Sequence, residues 1–592
     1  MRRWLGEARR RWDEGPPEPL ALVGAVVRAV ADRQGLPVDL GVTTDAGTLP
    51  DLPAAWCTPR LPGLVYEALV DPADRRARGS WFTPPAVVDR LVDLVLADGF
   101  SPSRVLDPAC GGGAFLLGVA DALHRRGVDA WEAASRLIGV DLDPAALTVA
   151  RWSLDLWLAG HRCPVGAASL TLGNSLSLEL EPVDLVVGNP PFGTPLRAAR
   201  SASPATVYRR QRHHLGPYAD EAACFLDRAS TQVGPGGRLV LVLPLSLLNA
   251  RDAAGVVELL QSEWDLSGLW VPERPVFEAS VHVFAPVLHR RIRPGSGERP
   301  RVAPLCTDRP VGPPGTAPLR SSWAEAASTA LGIPLGPAVQ PGTTRRLGEL
   351  VTATSGFRGH HYGLAAACRE AAEAPAGAPV ITVGQIGPLH WDRDRPVRFG
   401  GRRWSRPVVD VEGLPEWLAT WVRRQQRPKL LLATQSRVLE PLIDRTGVLV
   451  PSTPVIAVHA AADRLDAVAA VLLAPPVVAW AARRSLGSSL TPTAITLSAR
   501  HVLEIPLPPE CGPWDEAAAL LADVDAGSSA GPDLVEAVAA LMCRAYRVED
   551  AQLWGWWRQR LDATLPGAGA TLSGAAGATP PGAAGATGRI GR

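Results

Sequence analysis

The sequence has few of the features that mark secreted, metal-binding or membrane-spanning proteins. Its eight cysteines include no Cys-x-x-Cys pair and no Cys/His spacing typical of a metal site, which favours reduced thiols. The amino terminus, Met1-Arg-Arg-Trp-Leu-Gly-Glu7, lacks the apolar stretch of a secretory signal. The uncharged apolar run 467–482 is too short to cross a bilayer and contains two prolines. Together these absences predict a cytoplasmic globular protein.

An excess of charge of one sign is also absent. The 60 basic and 59 acidic residues give a formal net charge of +1, so any DNA-binding surface must be local. Lys429 is the only lysine, and nearly all positive charge is therefore on arginine. Together with 57 prolines and 57 glycines, this bias indicates a GC-rich genome rather than selection for phosphate binding. A chain of this length predicts roughly two to four domains.

The most informative stretch is Asp184-Leu-Val-Val-Gly-Asn-Pro-Pro-Phe192. Its apolar run ends abruptly at Gly-Asn-Pro-Pro, which predicts a buried parallel strand that stops at the carboxyl edge of a sheet. Open α/β sheets bind ligands at that edge. A rigid amide, a proline carbonyl and an aromatic face suit a planar group that carries an exocyclic amine. The alternative is a Pro-rich loop whose asparagine caps the turn. The candidate catalytic residues are Asn189, Pro190, Pro191 and Phe192.

A second signal is Arg104-Val-Leu-Asp-Pro-Ala-Cys-Gly-Gly-Gly-Ala-Phe-Leu-Leu-Gly118. It predicts a short strand that ends at Asp107, a glycine turn, and a helix from about Ala114. Glycines let a ligand approach the backbone, and a helix amino terminus offers N–H groups to a carboxylate. Asp107 would hold an amine nearby. A ligand with both an amine and a carboxylate fits better than a pyrophosphate, because the spacing is neither G-x-G-x-x-G nor a P-loop.

Two further strands are predicted to end in polar residues. The second strand ends in Asp141, which is placed to bind two ribose hydroxyls. Asp143 is expected to cap the helix that follows. The third short strand ends at Asn174 and Ser175, which could contact an adenine edge or simply form a turn.

The order of these elements predicts a doubly wound, Rossmann-like α/β sheet that a hairpin closes. Residues 1–78 have the apolar spacing of helices and are expected to form a helical amino-terminal segment. Thr83 is expected to cap a helix whose first turn contains Pro84 and Pro85.

The motif order resembles that of S-adenosylmethionine-dependent N6-adenine DNA methyltransferases of the gamma class, found in restriction–modification and related phage-defence systems. That family has F-T-P-P, D-P-A-C-G-S-G-x-F, an acidic second strand, N-P-P-[YF] and a carboxyl-terminal target-recognition domain. The matching positions are Phe82 to Pro85, Asp107 to Phe115, Asp141, and Asn189 to Phe192. The resemblance is strong over about 60–290 and weaker over about 346–510. This chain differs in having Gly-Gly-Gly for Gly-Ser-Gly, and Asn174 where an aspartate usually contacts the cofactor adenine.

The resemblance implies S-adenosylmethionine as cofactor and a target adenine flipped out of double-stranded DNA. The Asn189 side-chain oxygen and the Pro190 carbonyl would hold the N6 amine, with Phe192 and Phe277 stacking on the ring. Phe277 could instead be a plain core residue. The cofactor-binding candidates are Thr83, Asp107, Ala109, Cys110, Gly111, Gly113, Phe115, Asp141 and Asn174.

Composition and pattern also predict a domain organisation, to which the resemblance adds the domain roles. The helical segment is expected at 1–78, the methyltransferase domain at 79–290, linker and irregular structure at 291–345, an α+β target-recognition domain at 346–565, and a disordered tail at 566–592. In the target-recognition domain, 355–363 is expected to be a Gly-rich loop that enters a DNA groove. Two basic clusters, at 393–406 and 423–429, would bind phosphates, although a solvated Arg-rich face is the alternative. The DNA-binding candidates are Arg358, His360, Arg393, Arg395, Arg423 and Arg424.

Other functions remain open on the sequence. Asn-Pro-Pro-aromatic motifs also serve enzymes that methylate a protein glutamine or an RNA base amine, although those chains are usually shorter. N4-cytosine is a further target, but serine usually replaces Asn189 there. A catalytically inactive DNA-binding component is disfavoured by the intact Asp107, Asp141 and Asn189. The sequence shows no nuclease signature, so any cleavage would come from a separate restriction or defence subunit.

Overall fold

The computed structural model describes residues 1–10, 19–36, 49–71, 83–192, 204–272, 275–277, 281–292, 303–306, 315–317, 322–334, 345–356, 358–488, 494–525 and 531–564. The chain divides into two compact units. Unit 1 is Met1–Gly332 with Leu486–Pro492, and unit 2 is Ile333–Ser485 with Thr493–Arg592. The finer boundaries expected from the sequence stay a prediction. The expected disordered tail and Phe82 lie outside the described residues.

Unit 1 combines helices with a large sheet. Its helices are α1 (Arg2–Arg10), α2 (Pro19–Arg33), α3 (Leu61–Leu69), α4 (Pro85–Val95), α5 (Ala114–Arg125), α6 (Ala130–Ser135), α7 (Pro144–Gly160), α8 (Pro204–Arg210), α9 (Glu221–Gln232), α10 (Ala254–Glu263) and α11 (Trp323–Ala330). Its strands are β1 (Val105–Asp107), β2 (Leu137–Asp141), β3 (Ser169–Leu172), β4 (Val183–Gly188), β5 (Val233–Leu241), β6 (Leu243–Pro244), β7 (Trp264–Trp270), β8 (Val283–Arg290), β9 (Ala303–Cys306) and β10 (Gly315–Ala317).

The described strands of unit 1 form one sheet in the order β10-β9-β7-β8-β5-β4-β1-β2-β3, with β6 paired to β8. The pairs that strands β1, β2, β3, β4 and β5 form with one another are parallel, and β7 and β8 form the antiparallel hairpin. This confirms the predicted doubly wound fold. The chain runs from β1 through β2 to β3 on one side and returns to the other side of β1 at β4. Ligand crevices form at such a reversal, outside the carboxyl ends of the strands.

The sequence pattern of the central strands explains their position. Leu185, Val186 and Val187 of β4 are fully buried, as a strand covered on both faces requires. Removing a Leu or Val side chain from water contributes about 1.5–3 kcal/mol, so slipping β4 towards solvent would be costly. Burial therefore fixes the register that puts Asn189 at the sheet edge.

Several element ends differ from the sequence prediction. Pro84, not Thr83, is the amino-terminal cap of α4, and no side-chain hydrogen bond caps that helix. Pro84 is extended there, since the residue before a proline avoids helical geometry. The third strand ends at Leu172, two residues before Asn174. Helix α9 begins at Glu221, because Asp220 accepts a hydrogen bond from Ala223 N and caps it.

Residues 291–345, expected to be linker and irregular structure, contain β9, β10 and α11. Strand β9 pairs in parallel with β7 and so extends the main sheet. Strands β9 and β10 are short and are flanked by prolines and glycines. Neither therefore shows the alternation of apolar and polar residues on which a strand prediction depends. Helix α11 begins with a capping box at Ser322 and Glu325.

The described parts of residues 1–78 contain the helices α1, α2 and α3. Helices α2 and α3 pack on α7 around a shared apolar cluster. That cluster includes Val26, Tyr66, Trp152 and Leu156. The packing puts α3 beside the β2–α7 turn, where it can reach a ligand at the sheet edge.

Unit 2 has an α+β composition. Its strands are β11 (Val351–Ser355), β12 (Arg369–Glu370), β13 (Ala378–Ile381), β14 (Ile386–Gly387), β15 (His390–Trp391), β16 (Val397–Phe399), β17 (Arg402–Trp404), β18 (Pro407–Val409), β19 (Lys429–Leu432), β20 (Pro441–Asp444), β21 (Val450–Pro451) and β22 (Ile456–Ala460). Its helices are α12 (Arg358–Ala367), α13 (Glu416–Gln425), α14 (Leu465–Leu473), α15 (Pro475–Arg484), α16 (Ala499–Leu503), α17 (Cys511–Ala519), α18 (Pro532–Ala545) and α19 (Ala551–Asp562).

The described strands of unit 2 form two four-stranded sheets, β11-β22-β19-β20 and β12-β18-β13-β21, and two separate hairpins. Helices α14 and α15 are almost wholly buried. No single helix in the described ranges is long and apolar enough to cross a membrane. Within the described ranges, helices α14 and α15 meet the length and composition criteria only when the bent pair is counted together.

Candidate functional site

A cavity of about 680 Å³ opens at the carboxyl edge of β1, β2 and β4. Its size is that of a site for a cofactor-sized molecule. It lies where the topology of unit 1 predicts a ligand crevice. The predicted site residues that line it are Thr83, Asp107, Ala109, Cys110, Gly111, Phe115, Asp141, Asn174, Asn189 and Pro191.

Asp107 ends β1 and is only 1% exposed. Its Oδ1 accepts a hydrogen bond from Ala109 N at 3.1 Å. Burial, with a smaller contribution from the Asp141 carboxylate, raises the pKa of Asp107 to about 8. Gly188 at the end of β4 lies against this carboxylate, because an added Cβ there would be 2.6 Å from Asp107 Oδ1. The two strand ends thus meet at one acidic group.

The loop between β1 and α5 folds around Asp141. Gly111 N donates to Asp141 Oδ2 at 2.8 Å, and Asp143 N donates to Asp141 Oδ1 at 2.9 Å. Burial raises the pKa of Asp141 above its ordinary value. Gly113 caps α5 with a φ of 83°, a conformation that glycine adopts without strain. Gly113 supports the loop and is not among the residues that line the cavity.

Asp143 links the cavity to the amino-terminal helices. Its Oδ1 accepts from Ala145 N at 2.9 Å, which confirms its predicted role as the cap of α7. Its Oδ2 accepts from the Tyr66 hydroxyl at 3.1 Å. Tyr66 and Glu67 of α3 therefore line the cavity together with Asp143.

Asn189 and Pro191 line the cavity beyond the end of β4, and the Asn189 Oδ1 atom is buried. Phe192 is partly buried and packs against the core. Its ring lies edge-on to Phe277, with centroids 6.3 Å apart at 64°. Phe277 is 7% exposed and belongs to the core cluster, so in this arrangement it backs Phe192. Its role as a second stacking wall stays a prediction.

Several lining residues were not among the predicted site residues. Glu221 and Phe225 of α9 are one helical turn apart and face the cavity together. Burial and the neighbouring Asp220 carboxylate raise the pKa of Glu221 to about 7. Ser175, named from the sequence with Asn174 as an adenine-edge candidate, also lines the cavity, and its hydroxyl donates to the Pro108 carbonyl at 2.6 Å. The sequence pattern showed α9 only as a packed helix, so its spacing gave no signal of a ligand.

The electrostatics of the cavity are one-sided. Five of its lining residues are acidic, and none of the residues that line it in the described parts of the chain is Arg, Lys or His. The acidic residues are Glu67, Asp107, Asp141, Asp143 and Glu221. Buried carboxylates need a cationic or hydrogen-bond-donating partner. The cavity is therefore suited to a ligand with amine or other cationic groups.

The segment 355–363 of unit 2, expected to be a Gly-rich loop, is a strand end followed by helix α12. The His360 ring stacks on Trp421 at 4.5 Å and 12°, which ties α12 to α13. Burial lowers the pKa of His360. Packing therefore outweighs the low helix propensity of its two glycines. Arg358 begins α12, and its side chain lies outside the description.

The other predicted DNA-binding arginines have mixed surroundings. Arg423 and Arg424 are in the last turn of α13, where cations stabilise a helix. Arg423 also approaches Glu416, at 3.7 Å. Arg393 lies over the Trp391 ring at 5.6 Å, and Arg395 is exposed.

Lys429 does not belong to a basic surface, contrary to the sequence prediction. It is fully buried and forms an ion pair with the fully buried Asp444. The Asp444 carboxylate also accepts from Gly447 N and Leu449 N. The only lysine of the chain therefore organises the interior of unit 2.

Comparisons with known proteins support the resemblance noted in the sequence for the region that contains the cavity. Residues 61–257 match the family model described as N-6 DNA Methylase. The Type II methyltransferase M.TthHB8I of Thermus thermophilus is 27% identical over 202 residues, 32% of this chain and 40% of that protein. The Type II methyltransferase M.PaeR7I of Pseudomonas aeruginosa is 30% identical over 198 residues, 29% of this chain and 33% of that protein. The chain thus spans less than half the length of these two relatives.

The fold of the chain is also similar to that of a solved restriction–modification enzyme. The Type IIL restriction-modification enzyme MmeI, solved in complex with DNA, aligns with a TM-score of 0.60 at 13% identity. The alignment covers 91% of this chain and 90% of that chain, which shows a shared fold. Over residues 61–257 the chain is therefore similar in sequence to the N-6 DNA methylase family.

Proposed function

We propose that the chain is a site-specific DNA methyltransferase that transfers a methyl group from S-adenosylmethionine to N6 of adenine, in a restriction–modification or phage-defence context. One observation carries the proposal. Asp107 at the end of β1 and Asn189 at the end of β4 line a single cavity at the topological switch point. Such a cavity can hold a methyl donor and a target amine side by side, which is the main requirement of a displacement reaction.

The residues of the cavity fit S-adenosylmethionine. When bound, this cofactor supplies an electrophilic methyl group on a sulfonium centre. Asp107 would accept from the amino group of the methionine part, and Asp141 from the ribose hydroxyls. The N–H groups at the start of α5 would bind the methionine carboxylate. The one-sided acidic lining supports this assignment, since the cofactor is cationic at two positions.

Asn189 and Pro190 would hold the target amine. The Asn189 side-chain oxygen and the Pro190 carbonyl would each accept one N–H of the adenine N6 group. Two acceptors draw the amine towards tetrahedral geometry and make its lone pair available. These oxygens are fixed in advance by the rigid turn after β4, so little reorganisation is needed.

Phe192 would stack on the flipped adenine ring, with Phe277 behind it. The edge-on contact between the two rings supports Phe192 as the stacking surface and Phe277 as its support. An adenine within a duplex could not reach this turn, so base flipping is part of the proposal.

Unit 2 would bind the double-stranded DNA. Exposed arginines on two of its segments, 393–395 and 423–424, support phosphate contacts. His360 and Arg358 on α12 are retained as candidates. Separate restriction or defence subunits remain proposed partners, with the cytoplasm as the expected location.

The test is methyl transfer in vitro with labelled S-adenosylmethionine, followed by nucleoside analysis of the DNA. The wild type should give labelled N6-methyladenine. Asn189→Ala should lose this activity but bind the cofactor within a few-fold of the wild type, because Asn189 serves the target side. Label that appears only in RNA or in protein glutamine would favour the alternative substrates. Cofactor binding without transfer to any of these substrates would contradict the proposal.

A further inference from the structure

A short hairpin in unit 2 carries an unusual charge arrangement. Strands β16 and β17 pair with Val397 opposite Trp404, Arg398 opposite Arg403, and Phe399 opposite Arg402. Gly400 and Gly401 form the turn, with φ values of 59° and 80°. Both glycines thus adopt the positive φ that a two-residue hairpin turn favours.

The two faces of the hairpin differ sharply. Val397, Phe399 and Trp404 are buried, while Arg398 and Arg403 are exposed. Side chains alternate along a strand, so Arg398 and Arg403 project from the same outer face. The Cβ atoms of residues directly opposite in a ladder are about 4.5–5.5 Å apart. Two guanidinium groups therefore start from adjacent points.

The neighbouring arginines are engaged in other contacts. Arg406 forms an ion pair with Asp394. Arg402 lies over the Trp404 ring at 4.8 Å, and Arg393 lies over Trp391.

Arg398 and Arg403 differ from these arginines. Within the described parts of the chain neither forms an ion pair. Like charges placed directly opposite each other destabilise a ladder. A bound anion between the two arginines would reverse that effect.

The hairpin is held rigidly from behind. The Phe399 ring lies edge-on to His361 of α12, with centroids 5.0 Å apart. A Cβ on Gly400 would be 2.3 Å from the Ala365 Cβ, so the turn rests directly on the same helix. Trp404 Nε1 donates to the Phe399 carbonyl at 3.0 Å. The two arginines thus extend from a preorganised platform, which lowers the entropic cost of gripping a ligand.

The turn also allows close approach. A Cβ on Gly401 would meet no atom within 4 Å, so this side of the turn is open. A glycine tip next to two arginine forks suits a sugar–phosphate backbone better than a bulky ligand. Two planar forks that converge on a tetrahedral anion are the geometry by which arginine binds phosphate.

We propose that Arg398 and Arg403 form a clamp on one backbone phosphate of the bound DNA. The inference rests on the proposed function, because it takes DNA as the substrate. The clamp carries no sequence information and instead fixes the position of the duplex on unit 2. It narrows the phosphate-binding site predicted at 393–406 to one contact made by two residues.

The test measures binding of a short fluorescent duplex to the full chain over a series of salt concentrations. The variants are Arg398→Gln, Arg403→Gln and the double substitution, with Arg406→Gln as the matched control. Each neutralised phosphate contributes about 0.9 to the slope of log affinity against log salt. Because one arginine can still neutralise a shared phosphate, each single variant should bind severalfold more weakly with nearly the wild-type slope. The double variant should lose about 0.9 of the slope.

Thermal unfolding without DNA supplies the second readout. Each single substitution should raise the unfolding temperature of the ligand-free protein, since it removes the repulsion between the two arginines. Arg406→Gln should not raise it. This readout identifies a variant that binds poorly only because it is misfolded.

The outcomes separate the clamp from its alternatives. Two independent phosphate contacts would lower the slope by about 0.9 in each single variant and about 1.8 in the double, which would overturn the shared clamp. A third outcome is that inorganic phosphate stabilises the wild type but not the double variant, while both bind DNA equally well. That result would show that the arginine pair binds free phosphate rather than DNA. Unchanged DNA binding by the double variant refutes the clamp alone. A wild type that binds no duplex would refute the proposed function together with the clamp.

Discussion

Replacing Asp107 by asparagine should stabilise the ligand-free protein and greatly weaken cofactor binding. Asp107 is 1% exposed, and burial raises its pKa from an ordinary 3.8 to about 8. Between these values the folded protein retains a proton that the unfolded chain has released. The free energy of unfolding therefore falls as the pH rises through that window.

The size of the effect follows from the same values. Each pH unit between the two pKa values contributes about 1.4 kcal/mol, so the upper limit over the whole window is about 6 kcal/mol. Local rearrangement relieves part of this cost, and we expect about 2–3 kcal/mol of stabilisation at pH 8. Asparagine keeps an oxygen that can accept the hydrogen bond from Ala109 N, so the loop should persist.

The assay is thermal unfolding of wild type and Asp107→Asn at pH 5 and pH 8, with calorimetric titration of S-adenosylmethionine. The stability gain should be larger at pH 8, and cofactor affinity should fall by at least about a hundredfold, as expected for loss of a charge-assisted contact. Asp121→Asn, on the exposed surface of α5, is the control and should change neither quantity. A less stable variant at pH 8, or one that binds the cofactor normally, would refute the reasoning. Wild-type affinity should also fall as the pH is lowered from 8 to 6, because binding must first release the Asp107 proton.

Three further predictions follow from individual contacts. Gly188→Ala puts a methyl group 2.6 Å from Asp107 Oδ1, so cofactor affinity should fall by about tenfold or more, and an unchanged calorimetric titration would contradict the geometry. Ser175→Ala leaves the Pro108 carbonyl without its 2.6 Å hydrogen bond and should lower the stability measured by urea unfolding by about 1–2 kcal/mol. Lys429→Ala leaves the buried Asp444 without its ion-pair partner and should lower the free energy of unfolding in urea by about 3–5 kcal/mol. Arg424→Ala, on the exposed end of α13, should leave urea unfolding nearly unchanged.

The sequence was informative where a site residue ends a strand. Asp107, Asp141 and Asn189 each follow an apolar run, and parallel strands bring such ends to one edge of a sheet. That reasoning located the cavity because it needs only local pattern and chain order. Asn174 lines the cavity although the third strand ends two residues earlier.

The residues that were missed come from packing between distant segments. Glu221 and Tyr66 lie on helices whose apolar spacing predicts only burial, and their approach to the cavity depends on how α9 and α3 pack. The segment 358–363 looked like a loop because of its glycines, but the stacking of His360 on Trp421 stabilises a helix. The pairing of Arg398 with Arg403 depends on hairpin register, which the arginine-rich sequence left undefined.

The number of arginines in unit 2 does not show which positive charges are available to a ligand. Lys429 is buried in the interior, Arg406 is neutralised by Asp394, and Arg423 approaches Glu416. Only the three-dimensional contacts distinguish these residues from the exposed pair on the β16–β17 hairpin. A cluster of charged residues in the sequence describes only composition. Whether each charge can bind a ligand depends on the ion pairs that its side chain already forms.

The most direct test of the central claim is modified-base sequencing of DNA from a methylation-free host that expresses this protein. The account predicts N6-methyladenine at one recurring sequence motif, and its absence in cells that express Asn189→Ala at the same level. Unmodified adenine with the wild-type protein, at normal expression and with the cofactor bound to the purified protein, would contradict the assignment. N6-methyladenine that persists in the Asn189→Ala cells would contradict the proposed role of the turn after β4.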